Sequence, residues 1–479
     1  MEHTRLPTGI DGLDTVLQGG LIADRSYLLH GPAGSGKTIF GFHFLQAGVD
    51  AGETALFINL EEDLDDLKAN ARKLGFDVES MSFLDLGPTA DTFSKDESYD
   101  IFEPADVEAD PITEQIIETI EATDPERIVV DPITQFEYLT SDEYQFRKQI
   151  IGFMRFLKQH GGTALFTSQD TGSGLTKELQ FITDGTIHLT ADSDGRTVSV
   201  PKFRGSGTRS GEHVFRITDD GVVVFPELVT DVSKITADGT LSSGIPEVDQ
   251  LLHGGIERAT VSIISGPTGV GKTTLGTQFM KESAGRGDRS VVYLFEENEQ
   301  TFRQRSKSVN IPVDRMVERG TLRIEEVEAL ASSPQEFAHR VRTEVEANDT
   351  EIVMIDGIKG YGLTLQGENS RRRLHSLGRY LKRRGVTSIL IDETSNITGE
   401  FRATDGELSY LADNIVFLRH LELQGELRKA IGVLKKRTSD FERTLRRYEI
   451  TEHGISVGEP LTNLRGILTG TPEIVGNGE

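Results

Sequence analysis

One short glycine-rich pattern occurs twice in this chain, 235 positions apart. The first copy is Gly31, Pro32, Ala33, Gly34, Ser35, Gly36, Lys37 and Thr38. The second is Gly266, Pro267, Thr268, Gly269, Val270, Gly271, Lys272 and Thr273. The same spacing relates Gly9 to Gly244, Asp14 to Asp249, Gly19-Gly20 to Gly254-Gly255 and Glu61-Glu62 to Glu296-Glu297. From Gly9 to Glu62 the halves therefore align without a gap. Self-similarity of this extent marks a duplicated domain rather than a chance motif, so every functional question becomes a comparison of two halves.

A chain of 479 residues exceeds one ordinary domain. The repeat predicts domains over 1–230 and 240–470, a linker near Pro226–Thr240, and a mobile polar tail over 471–479. Hydrophobic residues make up 36%, enough for two packed cores. No apolar run approaches the roughly 20 residues of a membrane helix, and the opening MEHTRLPTG lacks the apolar stretch of a secretory signal. The absence of cysteine excludes disulfides and thiolate metal sites and agrees with a reducing compartment. A soluble cytoplasmic protein is expected, with no membrane partner. The net charge of −26 fits a halophilic protein, whose acidic surface is screened in a salt-rich cytoplasm. It also fits an acidic, solvated surface without special meaning. In either case it disfavours nucleic acid as a partner, because non-specific binding needs clustered cations.

Apolar runs enter each glycine-rich loop, SYLLH (Ser26–His30) and TVSIIS (Thr260–Ser265). A helix is expected from Lys37 and from Lys272. TALFINL and SVVYLF follow as strands ending at the two Glu pairs; RIVVDPI and EIVMIDG follow as strands ending near an Asp. TALFTSQ and TSILIDET complete the series. Strands alternating with helices predict an α/β fold, a mostly parallel sheet flanked by helices in each half. Lys37 and Asp131 are 94 positions apart, but Lys272 and Asp356 only 84. The extra residues fit an acidic, aromatic insertion at Asp91–Asp110, read either as a surface loop or as a contact between subunits.

The loops carry chemistry. Their glycines let backbone N–H groups curl around phosphate oxygens, and the following helix N-terminus adds partial positive charge. Lys37 and Lys272 are placed to reach the β- and γ-phosphates, and Thr38 and Thr273 to put a hydroxyl on Mg²⁺. Asp131 and Asp356, at strand ends, are the expected metal carboxylates. Glu61-Glu62 and Glu296-Glu297 are read as catalytic. A carboxylate at the end of a strand beside the phosphate loop can orient and deprotonate a nucleophile while its neighbour sets the field. A Lys-x-Arg pattern also recurs, as Lys202 and Arg204 and as Lys435 and Arg437. Residues two apart on a strand share a face, so each pair can aim at one phosphate group, here expected on a neighbouring subunit's nucleotide.

On these residues the chain resembles the KaiC family, the double-domain RecA-like ATPases of circadian clocks and their archaeal relatives. The resemblance covers nearly the whole chain. It includes PTGIDGLDTVLQGGL (Pro7–Leu21), both phosphate loops, both Glu pairs, KFRGS (Lys202–Ser206) and LELQGELRKAIGVLKKR (Leu421–Arg437). It implies two tandem RecA-like P-loop NTPase domains and a homo-hexameric double ring with ATP and Mg²⁺ between adjacent subunits. It also implies slow hydrolysis in the first ring and, in clock members, autophosphorylation in the second. The family's acceptors are an adjacent Ser-Thr pair. Here TDGELSYLADNIVFL (Thr404–Leu418) puts Ser409 and Tyr410 in that place. Ser409 keeps the hydroxyl, Tyr410 does not match, and Thr404 is a secondary acceptor candidate.

The leading expectation is an ATP-hydrolysing regulatory ring with serine/threonine autokinase activity and unidentified protein partners. The alternative is a RecA- or RadA-like nucleic-acid-dependent ATPase, supported by the basic stretch RRRLHSLGRYLKRRG (Arg371–Gly385). A third reading is a scaffold in which nucleotide acts mainly as interface glue.

Overall fold

The computed structural model describes residues 3–87, 111–139, 143–169, 174–193, 195–228, 238–328, 332–364, 370–394, 408–423, 425–462, 464–465 and 473–474. The expected insertion Asp91–Asp110, residues 229–237 of the expected linker, and Thr404 lie outside them. So does the tail apart from Glu473–Ile474, which pair antiparallel with Leu464–Arg465. The chain divides into two compact units, Met1–Glu227 and Leu228–Glu479.

Nine strands build the main sheet of the first unit. They are β1 (Ser26–His30), β2 (Ala55–Asn59), β3 (Ser82–Asp85), β4 (Arg127–Asp131), β5 (Thr163–Ser168), β6 (Gly185–Asp192), β7 (Gly195–Phe203), β8 (His213–Thr218) and β9 (Gly221–Phe225). Nine more build that of the second: β10 (Val261–Gly266), β11 (Ser290–Leu294), β12 (Leu322–Glu326), β13 (Ile352–Asp356), β14 (Thr387–Glu393), β15 (Asn414–Leu423), β16 (Glu426–Lys436), β17 (Arg446–Thr451) and β18 (Gly454–Pro460). The spatial order is β3-β2-β4-β5-β1-β6-β7-β8-β9 in the first sheet and β12-β11-β13-β14-β10-β15-β16-β17-β18 in the second. Strand for strand these are one topology. The six strands from β3 to β6 run parallel, and β7, β8 and β9 extend the sheet antiparallel, with the same division in the second unit.

The parallel strands are continuous apolar runs because both faces are covered. In β2, Leu56 and Ile58 pack into one core cluster while Phe57, between them, packs into another on the opposite face. Phe57 stacks on Phe42 at 5.0 Å and on Phe83 at 5.8 Å. In β11, Val292 and Leu294 face one cluster and Tyr293 the other. The antiparallel extension, which the sequence reading did not anticipate as a unit, has a definite task. It passes behind each phosphate loop, where a Cβ on Gly36 would lie 2.9 Å from Ile217 Cδ1 of β8 and one on Gly271 2.2 Å from Ile450 Cδ1 of β17.

His43, on the helix Lys37–Ala51, ties that helix to β9: its Nε2 accepts from the Val222 N–H at 2.8 Å. Burial pushes its pKa down to about 4. The corresponding residue of the second unit is Gln278, whose Nε2 donates to the Ser243 carbonyl at 2.9 Å. Between about pH 6.5 and 4 the unfolded chain binds a proton at His43 that the folded chain refuses, so stability falls as pH drops through that window. His43→Gln, which keeps an acceptor but cannot titrate, should flatten the acid slope of the first unit by up to about 3 kcal/mol across the window. Calorimetric unfolding at stepped pH checks this; parallel slopes in parent and variant would contradict it.

Candidate functional site

All parallel strands of a sheet end at the same edge, and the phosphate loop follows the central one. A cleft opens there in each unit. The first, of about 510 Å³, is lined by Ala33, Gly34, Gly36, Lys37 and Thr38 of the loop, by Glu61 and Glu62, and by Asp131. The second, of about 470 Å³, is lined by Thr268, Gly269, Gly271, Lys272 and Thr273, by Glu296 and Glu297, and by Asp356. Gly31, Pro32 and Ser35, like Gly266, Pro267 and Val270, belong to the loops but not to the cleft walls.

Gly36 and Gly271 have φ of +96° and +109°, a left-handed conformation that glycine adopts without strain. They turn the chain so that helices begin at Lys37 and Lys272, with their N-termini at the clefts. Lys37 Nζ donates to the Gly31 and Pro32 carbonyls at 3.0 and 2.9 Å. Lys272 Nζ donates to the Pro267 carbonyl at 2.9 Å and lies 3.7 Å from Glu393. Burial lowers both ammonium pKa values, opposed by Asp131 and Glu61 around Lys37 and by Glu393, Asp356 and Glu296 around Lys272.

Thr38 donates to Asp131 at 2.6 Å and Thr273 to Asp356 at 2.9 Å. Asp131 accepts a second hydroxyl, from Thr167 at the end of β5. The corresponding residue of β14 is Ile391, which has none to offer. Burial raises the pKa of both carboxyls. At Asp131 the two threonines and Lys37 oppose the rise; at Asp356, which burial and then Glu297 push up to about 7, Arg305 and Thr273 oppose it.

The strands carrying the Glu pairs are not adjacent to the loop strands. Between β1 and β2 stand β5 and β4, and the second sheet repeats this. The pairs reach the clefts because each sits in a turn between a strand end and a capped helix. Asp63 caps Leu64–Lys73 by accepting from Asp65 and Asp66 N–H, and Asn298 caps Glu299–Ser308 by accepting from Thr301 N–H. In the first unit Asn59 braces this turn: its Nδ2 donates to the Glu62 carbonyl at 2.7 Å and to Asp85 at 2.8 Å.

The pairs are held differently. Glu61 accepts from Gln169 Nε2 at 3.4 Å. Glu62 has its pKa raised by desolvation and then by Asp131, Glu61 and Asp66, all of them carboxylates. In the second cleft Glu296 accepts from the Gly360 N–H at 3.1 Å, and Glu297 forms an ion pair with Arg305 at 2.6 Å. Asn59, Thr167, Arg305 and Gln169 were all missed from sequence. For Arg305 the signal was available, since the 235-residue offset aligns it with Asn70.

The Lys-x-Arg pairs lie away from their own clefts. Lys202 Nζ donates to the Phe181 and Thr183 carbonyls at 3.0 and 2.6 Å, and Arg204 to Phe181 at 3.2 Å, at the C-terminal end of the helix Gly174–Ile182. Such carbonyls lack intrahelical donors, and cations suit them. Lys435 Nζ donates to the Ser409 carbonyl at 2.6 Å and Arg437 to that of Tyr410 at 3.0 Å. Both members of each pair thus share a face, as their spacing requires. Ser409 is half-buried in the short turn Leu408–Tyr410 and does not line its own unit's cleft. In the basic stretch, Lys382 pairs with Asp413 at 2.8 Å and Arg384 with Glu346, while Leu374, Leu377 and Leu381 are buried. Among the described residues no helix is long and apolar enough to cross a membrane.

The residues present fit a nucleoside triphosphate with Mg²⁺. A Cβ at Gly34 or Gly269 would meet nothing within 4 Å, leaving the space before each loop open. The Thr and Asp oxygens beside it are the hard donors that Mg²⁺ takes. Parallel sheet, phosphate loop, Thr-Asp pair and Glu pair together define a P-loop ATPase, present here twice. A KaiC ATPase family model matches the chain over residues 6–229 and again over 241–462. The chain belongs to the KaiC ATPase family. It is 26% identical over 483 residues to a circadian clock oscillator protein KaiC of Acaryochloris marina, covering 98% of this chain and 92% of that one. It is 27% identical over 484 residues to a circadian clock protein KaiC3 of Synechocystis, covering 98% and 94%.

A metal carboxylate must shed its proton to bind. With Asp356 at about 7, Mg-nucleotide affinity of the second cleft should fall as pH drops below that value, by about tenfold per unit. In a K37A chain, titration of a fluorescent ATP analogue with Mg²⁺ across that range checks this. A flat profile would contradict it.

Proposed function

We propose that the chain is an ATP-hydrolysing regulatory protein. It assembles as a homo-hexameric double ring of domains 1–230 and 240–470, is cytoplasmic, and has unidentified protein partners. The observation that carries this reading is the doubled cleft, complete in both units from phosphate loop to Glu pair. The placement of Lys202, Arg204, Lys435 and Arg437 away from their own clefts supports an action across a subunit contact. The acidic composition supports a salt-rich, halophilic setting, and the naming of the relatives as clock proteins supports a signalling role.

In this reading the loop N–H groups, Lys37 and Lys272 bind the phosphates. When bound, Mg²⁺ supplies charge neutralisation, held by Thr38 and Asp131 in the first site and by Thr273 and Asp356 in the second. The Glu pair orients water and accepts its proton while the water oxygen bonds to the γ-phosphorus. The bond from that phosphorus to the bridging oxygen then breaks, leaving ADP. The second domain also transfers phosphoryl groups to Ser409, with Thr404 as secondary acceptor. Because Ser409 does not line its own unit's cleft, the donor is a nucleotide bound by another subunit.

Lys37→Ala should remove at least half of steady-state phosphate release, and the K37A/K272A double variant nearly all of it. Turnover unchanged in the double variant would reject the assignment of these clefts. Incubation with Mg-ATP followed by mass spectrometry should add one phosphate in the segment holding Ser409, absent from S409A. Phosphate confined to another segment would reject Ser409. On a sizing column, withdrawal of ATP and Mg²⁺ should dissociate the ring; a hexamer stable without nucleotide would reject binding at the interface.

A further inference from the structure

The two clefts share every motif that recurs at 235 positions, yet they differ in charge around the Glu pair. In the second, Arg305 projects from the helix Glu299–Ser308 and holds Glu297 at 2.6 Å. That glutamate side chain is only 17% exposed. Arg305 also lines the cleft, and its charge reaches the strand-end carboxylate Asp356. In the first cleft the same helix position is Asn70, which likewise lines the wall. There the charged groups acting on Glu62 are Asp131, Glu61 and Asp66, with no cation among them. The partner member differs as well: Glu296 is fixed by a backbone N–H at 3.1 Å, and Glu61, among the described residues, by a 3.4 Å contact with Gln169.

We propose that Arg305 is a positioning residue that ties Glu297 into an ion pair and so slows hydrolysis in the second site, while Asn70 leaves the first site free to turn over. Hydrolysis requires a carboxylate of the pair to take a proton from water as the water oxygen bonds to the γ-phosphorus and the bond to the ADP oxygen breaks. A carboxylate already bonded to a guanidinium is fixed in orientation and has an oxygen engaged that would otherwise be free to meet the water. A neutral amide at the same position forms no such ion pair. The two clefts thus differ, at one position of the repeat, in how tightly a glutamate of the pair is held. The inference rests on the ATPase reading above.

Single-site chains separate the two. In a K37A background, where only the second site works, R305N should raise kcat about tenfold with KM changed less than about threefold, a fraction of what a general base contributes. R305K, which restores a cation at that position, should bring the rate back down. In a K272A background the reciprocal N70R should lower kcat of the first site by a similar factor, again with KM kept. An R305N rate at or below that of its parent, together with an N70R rate equal to its parent, would overturn the inference and leave the ATPase reading standing. Absence of hydrolysis in both single-site parents would overturn both. An increase carried by KM alone would assign Arg305 to nucleotide binding and likewise overturn it.

Discussion

Each cleft depends on one contact, the hydrogen bond from the loop threonine to the strand-end aspartate. Thr38 begins a helix after β1, and Asp131 ends β4, two strands away. The bond therefore crosses the end of β5 and fixes loop, helix and sheet edge together. It also exacts a cost, since the aspartate is buried and its charged form is disfavoured. The first unit offsets that cost with a second hydroxyl from Thr167. The second puts Ile391 at the same place, so among the described residues its aspartate keeps only the loop threonine as a hydroxyl donor; burial raises the pKa of both aspartates. A side chain on an intervening strand thus gives one site a hydroxyl partner that the other lacks, although their motifs make them look equivalent.

Sequence reasoning recovered what repeats and what has a steep physical requirement. The loops, the strand-end aspartates and the Glu pairs were legible because phosphate cradling admits few residue types at few spacings. The parallel core was legible because strands buried on both faces read as apolar runs. The order of the strands was not legible: β4 and β5 stand between β2 and the loop strand. Sequential strands need not be neighbours in a doubly covered sheet, and apolar runs carry no label for their place. The residues that brace the clefts were not legible either. Asn59 and Thr167 act through contacts between distant strand ends, which no local pattern announces. Arg305 was recoverable only by asking where the repeat fails.

The Lys-x-Arg pairs show how one motif can satisfy two requirements. Their strand spacing sends both side chains to one face, and within the unit that face meets backbone carbonyls left without donors. A lysine beside such carbonyls is stabilised by the partial negative charge there. Each arginine also lies 3.7 Å from a carboxylate, Arg204 from Asp184 and Arg437 from Asp413, while Lys202 and Lys435 end in backbone oxygens. Of each pair the lysine is therefore the member better placed to keep its charge for an anion approaching from outside the unit.

That matters because the clefts themselves are poor in positive charge. Among the described residues lining the first, Lys37 is the one cation, against Glu61, Glu62 and Asp131. The second has Lys272, Arg305 and Lys429 against Glu296, Glu297, Asp356 and Glu393. A chain of net charge −26 adds a repulsive background to both. A free polyphosphate would therefore meet walls of its own sign, in the first cleft above all. Favourable binding requires cations that the unit does not supply from its own cleft walls. In the proposed ring a divalent ion held by Thr38 and Asp131 would be one source, and cations from an adjoining subunit the other. Nucleotide, metal and assembly would then be coupled by charge, and the site with fewer resident cations would depend on the other two most strongly.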